Sequence, residues 1–223
     1  MRKLVAVGVV GVVPLLAGCL DMNQDLAFTA DGQATMQMRM AMDASILALA
    51  AEEDGTVNFC DTDDMTDIPQ DVTVDVERST EGDNEVCVVT ASGPIESLAA
   101  ALNEGGLGTG NDEADQSGQI TLTDEGDGVY VFNVAIDAGE ALGAGEDAGD
   151  PDAQAMQEAM MQMALAYTAG RTLSWSVTAP RIVHTTGELS ADGRTATYSL
   201  ALSDLFTMPE AGYGFTARFD ITP

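Results

Sequence analysis

Runs in which apolar and polar residues alternate, each closed by a turn, recur along this chain and restrict its fold more than any other feature. Side chains of a strand repeat every two residues, so sustained alternation fits a half-buried strand and not a helix. In the clearest run, over 34–42, Met36, Met38, Met40 and Met42 fall on one face and Gln37, Arg39 and Ala41 on the other. It follows an apolar run over 26–29 across Asp31-Gly32, a dipeptide suited to a tight hairpin. The same reasoning predicts strands over 57–60, 72–78, 85–90, 119–123, 129–136, 173–178, 182–184, 194–202 and 213–221. Ala30-Asp31-Gly32 is echoed by Ala191-Asp192-Gly193, each followed by an alternating run.

Helical spacing interrupts this pattern in three places. Asp43 is a good N-cap for a helix through Ile46, Leu47, Leu49 and Ala50 that ends near Gly55. Pro94 suits the first turn of a second helix carrying Ile95, Leu98, Ala99 and Leu102. A third, longer helix is expected from about 152 to 168, closed by Gly170. Hairpins followed by helices predict an α+β fold: an antiparallel sheet packed against about three helices, one of them long and in the C-terminal half. Acidic, glycine-rich loops are expected near 61–71, 103–118 and 137–150.

The N-terminus has a different character. Arg2 and Lys3 precede an apolar run over 4–16, then Ala17, Gly18 and Cys19. That is the layout of a secretory signal peptide, and the run is too short for a membrane span of about 20 residues. Leu16-Ala17-Gly18-Cys19 resembles the lipobox of bacterial lipoproteins, which implies cleavage after residue 18 and acylation of Cys19. Residues 19–24 are then expected to form a lipidated tether and 25–223 a single domain. By resemblance to enterobacterial sorting, Leu20 after the cysteine implies an outer rather than an inner membrane.

Charge limits the partners. Without Arg2 and Lys3, six arginines face 37 carboxylates, a formal charge of −31 (6 − 37). Such a field repels nucleic acid and anionic headgroups, so the membrane is expected to be held through the Cys19 lipid alone. The remaining partners are a lipid ligand or an envelope protein. Cys60 and Cys87 are an even pair in a compartment that permits disulfides, and a bond between them is expected.

The strand–Ala-Asp-Gly–strand–helix opening resembles LppM-type bacterial lipoprotein domains. So does the stretch Leu173 to Pro180 (LSWSVTAP), with Ile182-Val183, Thr186-Gly187 and a strand over 195–200 after it. These patterns cover about 80 residues at the two ends of the chain. The chain departs from the family in its acidic insertions and in carrying alanine or arginine where Pro-Gly is usual after Thr178, and no C-terminal span is expected. The resemblance implies a curved antiparallel sheet gripping helices, and binding of lipid or glycolipid at the cell envelope.

The methionines admit three readings. Met36, Met38, Met40 and Met42 on a strand, facing Met156, Met160 and Met163 on the expected long helix, fit a filled core. They also fit an apolar cavity that takes an acyl chain, because thioether side chains adapt to varied ligands. Thioethers suit Cu(I) as well, which makes Met36, Met38 and Met40 an alternative copper site. An assembly or spacer role remains a further alternative. Asp61, Asp63, Asp64 and Asp67, and separately Asp112, Glu113 and Asp115, are candidate calcium clusters, but neither has EF-hand spacing, so solvated loops are expected. No cofactor is expected. Neither a nucleophile elbow, a zinc-protease helix nor a phosphate loop occurs in the sequence, so no enzyme is expected. His184 reads as a surface or packing residue and Trp175 as a core anchor.

Overall fold

A computed structural model of the chain describes residues 20–45, 47–48, 60, 68–104, 107, 119–136, 162, 165–166, 168–207, 209 and 212–222. Its strands are β1 (Leu20–Phe28), β2 (Gln33–Asp43), β3 (Thr73–Glu81), β4 (Asn84–Pro94), β5 (Gln119–Gly126) and β6 (Val129–Ile136). They continue with β7 (Thr172–Thr178), β8 (Arg181–Thr185), β9 (Glu188–Leu189), β10 (Thr195–Ala201) and β11 (Tyr213–Asp220). Helix α1 spans Ile95–Asn103, and a 3-10 helix spans Leu202–Thr207.

The strands form two sheets. Seven make one, in the order β3-β4-β2-β1-β7-β10-β9, and four make the other, in the order β5-β6-β11-β8. Every pairing is antiparallel except β1 with β7. That parallel pairing places the first strand beside one about 150 residues later (Met22 opposite Leu173), so β1 is the central strand of the large sheet.

Alternation buries one face of each sheet. In the small sheet Leu122, Phe132 and Ala217 are register partners in a row, as are Ile120, Val134 and Phe215, and all six are buried. In the large sheet Leu26, Met36, Ala91, Val177 and Ala196 form a buried row. The two inner faces meet through aromatic rings. Phe28 of β1 stacks on Phe219 of β11 with centroids 4.3 Å apart, and Tyr198 of β10 stacks on Phe215 at 5.7 Å. Offset stacking adds to the area these rings remove from water.

Helix α1 closes the side of this core. Ile95, Leu98, Ala101 and Leu102 are buried, as their helical spacing requires. Its last residue, Asn103, fastens it to β5: the side-chain amide donates to the Leu122 carbonyl and accepts from the Leu122 N–H, both at 2.9 Å.

The expected α+β arrangement of one sheet on about three helices is therefore corrected. Strands take up 61% of the described residues and lie in two sheets, and α1 is the one helix of seven or more residues among them. Periodicity identifies most strands singly, though not β9, and of the strand expected over 57–60 only Cys60, in a turn, is among the described residues; it does not say that β11 pairs with β6 and β8 instead of joining the large sheet. No long helix is found in the C-terminal half among the described residues, and most of 152–168, where one is expected, lies outside them. After Asp43, residues Ala44, Ser45, Leu47 and Ala48 are helical, and the Asp43 carboxylate accepts from the Ser45 N–H at 2.8 Å. The rest of that helix also lies outside the described residues.

The tether is a second correction. Residues 20–24 belong to β1, so strand structure begins directly after Cys19. Their polarity belongs to the outer face: Asp21 accepts from the Thr172 N–H at 3.2 Å and pairs with Arg171, and Asn23 accepts from the Ser174 hydroxyl. Inward-facing Met22 and Gln24 alternate with them.

Candidate functional site

Towards the Leu20 end of β1 the inner face of the large sheet is rich in thioethers, and through Trp175, Leu200 and Tyr198 it is continuous with the core shared with the small sheet. Beyond the Leu26 row lies a second row, Val76, Val89, Met38, Gln24, Trp175 and Tyr198, and a third containing Cys87, Met40, Met22, Leu173 and Leu200. Residues opposite one another in register share a face, so these rows form one surface. Met36 is fully buried in the main core. Met40 instead packs in a separate cluster with Cys60, Cys87 and Val89, while Met38 and Met42 are buried as well. Met156, Met160 and Met163 lie outside the described residues.

Cys60 and Cys87 are joined by a disulfide with Cα atoms 5.7 Å apart. It ties the segment before β3 to the centre of β4, and Arg78 of β3 donates to the Cys60 carbonyl at 2.7 Å.

Gln24 is the anomaly. It lies near the middle of the central strand, faces inward and is 1% exposed. Its amide nitrogen donates to the Met36 thioether at 3.2 Å, a weak acceptor, and its amide oxygen has no partner. Its register partner Trp175 is 2% exposed, and the indole N–H likewise has no partner. A buried acceptor and a buried donor, both unsatisfied, thus stand side by side in an apolar face. Each costs about 1–3 kcal/mol relative to a satisfied group.

The surroundings keep this face neutral. Trp175 lies against Tyr198, with ring centroids 6.1 Å apart. Burial, followed by nearby Tyr213 and Asp204, pushes the Tyr198 phenol above its ordinary pKa, so it stays protonated. An apolar molecule with one hydroxyl or amide could donate to the Gln24 oxygen and accept from the Trp175 N–H.

Of the other sequence candidates, His184 is exposed on β8, opposite Arg218. Cys19 lies outside the described residues, as do Asp61, Asp63, Asp64, Asp67, Asp112, Glu113 and Asp115. Among the described residues no three His, Cys, Asp or Glu side chains are grouped to hold a metal, and no helix is long and apolar enough to cross a membrane. Sequence reasoning missed Gln24 by assigning it to a tether, although its position two residues from both Met22 and Leu26 was a usable signal.

No protein-family model and no curated protein sequence matches the chain. Among solved structures, the folded domain of LppM from Mycobacterium tuberculosis, determined by NMR, superposes with a TM-score of 0.52. The match covers 92% of this chain and 91% of that one at 14% identity. The fold is LppM-like. At that identity the likeness concerns architecture alone, and it spans nearly the whole of both chains. The LppM-like fold here consists of the two sheets, α1 and the parallel β1–β7 pairing.

Proposed function

We propose that this chain is a non-enzymatic cell-envelope lipoprotein, anchored through acylated Cys19, whose domain takes an amphiphile against the thioether-rich face of its large sheet. The observation that carries this reading is the unpaired Gln24 oxygen and Trp175 N–H, adjacent and buried in an apolar surface. A core selected for stability alone would place apolar residues at both positions, because unsatisfied polar groups are costly. The LppM-like fold agrees with an envelope lipoprotein role. An outer-membrane address is the reading that Leu20 supports by resemblance.

The location of β1 adds a spatial element. Because it begins at Leu20, acylated Cys19 would hold the Leu20 end of the large sheet close to the bilayer. The Met22, Met40 and Leu173 row is near that end. A Cu(I) site on Met36, Met38 and Met40 is less well supported. Met36 accepts from Gln24 within the main core, whereas Met40 packs beside the disulfide.

Trp175, the sole tryptophan, is a built-in reporter. Titrating the unlipidated chain with a monoacylglycerol should shift its emission saturably, and Gln24→Leu should weaken that response roughly tenfold, the worth of one good hydrogen bond. An emission unchanged by the amphiphile would rule this mode of binding out.

A further inference from the structure

A groove of about 740 Å³ opens at the Phe28 end of β1. β1 rises about 3.3 Å per residue, so the groove is some 25 Å from Leu20 and separate from the face described above. Phe28, Ala179 and Pro180 give it an apolar lining, and its only charged lining residues are Arg181 and Arg194. That is unexpected in a chain where acidic residues outnumber basic ones 37 to 8.

The arginines of the described region are otherwise engaged. Arg39, Arg171 and Arg218 are ion-paired with Glu81, Asp21 and Glu125, and Arg78 donates to a carbonyl. Arg194 is exposed, and its guanidinium forms no ion pair among the described residues. Its backbone is nevertheless fixed: the N–H donates to Asp192 at 3.1 Å, and the carbonyl accepts from the Ala179 N–H at 2.9 Å. Arg181 is held by Asp220 through one nitrogen while its side chain remains 67% exposed, so most of its five N–H donors are free.

The echoed Ala-Asp-Gly turns engage the nearby acids: Asp192 lies close enough for the Arg194 charge to help lower its pKa, behind the Ser190 hydroxyl and the Arg194 N–H, but forms no ion pair with it. Gly32 and Gly193 have φ of 79° and 70°, and Thr29, Ala30 and Arg194, which flank those two turns, all line the groove. Each turn aspartate is consumed locally: Asp31 accepts from the Thr29 hydroxyl, and Asp192 from the Ser190 hydroxyl and the Arg194 N–H. Asp220 is occupied by the Thr222 hydroxyl and N–H as well as by Arg181.

We infer that this groove is an oxyanion site: Arg194 and Arg181 take the terminal phosphate or carboxylate of a small ligand whose apolar body lies against Phe28, Ala179 and Pro180. Guanidinium groups match such oxyanions through paired charge-assisted hydrogen bonds. Because the groove is at the far end from Leu20, it faces ligands in solution more readily than headgroups of the membrane that would hold Cys19.

The test is an NMR titration of the mature chain at fixed chloride concentration, observing the Arg194 side chain and the backbone amides of Thr178, Ala179, Arg181 and Ile182. The probes are inorganic phosphate, phenyl phosphate and dihexanoyl phosphatidate. Phenyl phosphate is expected to give saturable shifts at these positions and to bind several-fold more tightly than inorganic phosphate. Arg194→Gln should weaken it roughly tenfold, the scale of one charge-assisted hydrogen bond, without changing the melting temperature. Tighter binding of phosphatidate would assign the oxyanion to a lipid headgroup, and tighter binding of phenyl phosphate to a soluble ligand. Shifts that do not saturate with any probe, or equal affinity in Arg194→Gln, would overturn the inference. Neither result depends on lipidation or on Gln24, so failure here leaves the amphiphile reading untouched.

Discussion

Replacing Gln24 by methionine separates a residue kept for stability from one kept for a ligand. The two side chains have similar length and volume, so the substitution removes the polar atoms and leaves the packing nearly intact. In the empty protein the Gln24 oxygen is buried without a partner, which costs about 1–3 kcal/mol. Its amide nitrogen gains only a thioether contact at 3.2 Å in return, offsetting about 1 kcal/mol at most. The variant should therefore be more stable by about 1 kcal/mol, a rise in Tm of about 2–4 °C for a chain of this size. Thermal unfolding monitored by near-ultraviolet circular dichroism, on protein stripped of bound amphiphile, would measure this. The same variant should bind a monoacylglycerol less tightly. A fall in Tm of more than about 4 °C, equivalent to roughly 1 kcal/mol lost, would mean instead that the Gln24 amide is well satisfied in the empty protein and is kept for stability.

The structure leads to three further expected outcomes. Reducing the disulfide, or replacing Cys60 and Cys87 by serine, should cost about 3–4 kcal/mol from the chain entropy of the loop it closes, read as a Tm lower by roughly 10 °C. Gly187→Ala should destabilise by about 1–3 kcal/mol, because its Cβ would be 2.4 Å from the Thr197 carbonyl oxygen and 2.9 Å from the Phe215 ring; urea unfolding measures the loss. Asp220 is held down to a pKa of about 2, chiefly by the Thr222 hydroxyl and N–H and then by Arg181. Its contribution is complete above the ordinary value of 3.8 and disappears as the pH falls through about 2, so acid unfolding of the wild type and Asp220→Asn should converge below about pH 2 and diverge above pH 4.

Strand positions were legible because their signal is local. Met36 and its neighbours alternate, and the predicted face is the buried one from Ala34 to Met38, whereas beyond it Met40 is half-buried and Ala41 of the other face is buried. The spacing of Ile95, Leu98 and Leu102 also located α1, with Pro94 as its cap residue and not its first turn. Pairing was not legible. The contact of β1 with β7 joins Met22 to Leu173, and the second sheet depends on β11 finding β6 and β8, neither of which leaves a mark in any short window. The candidate site was hidden for the same reason. Gln24 carries no functional signature in sequence, and it becomes conspicuous only when the fold buries it beside Trp175.

If the interior of this domain takes an amphiphile, protein made in a living host should carry one. Native mass spectrometry of the Cys19→Ser chain, isolated from its host without detergent, tests it most directly. A bound species is expected that organic extraction releases and that is depleted in Gln24→Met. A consistently empty protein, with the thioether face closed and no extractable lipid, would contradict it.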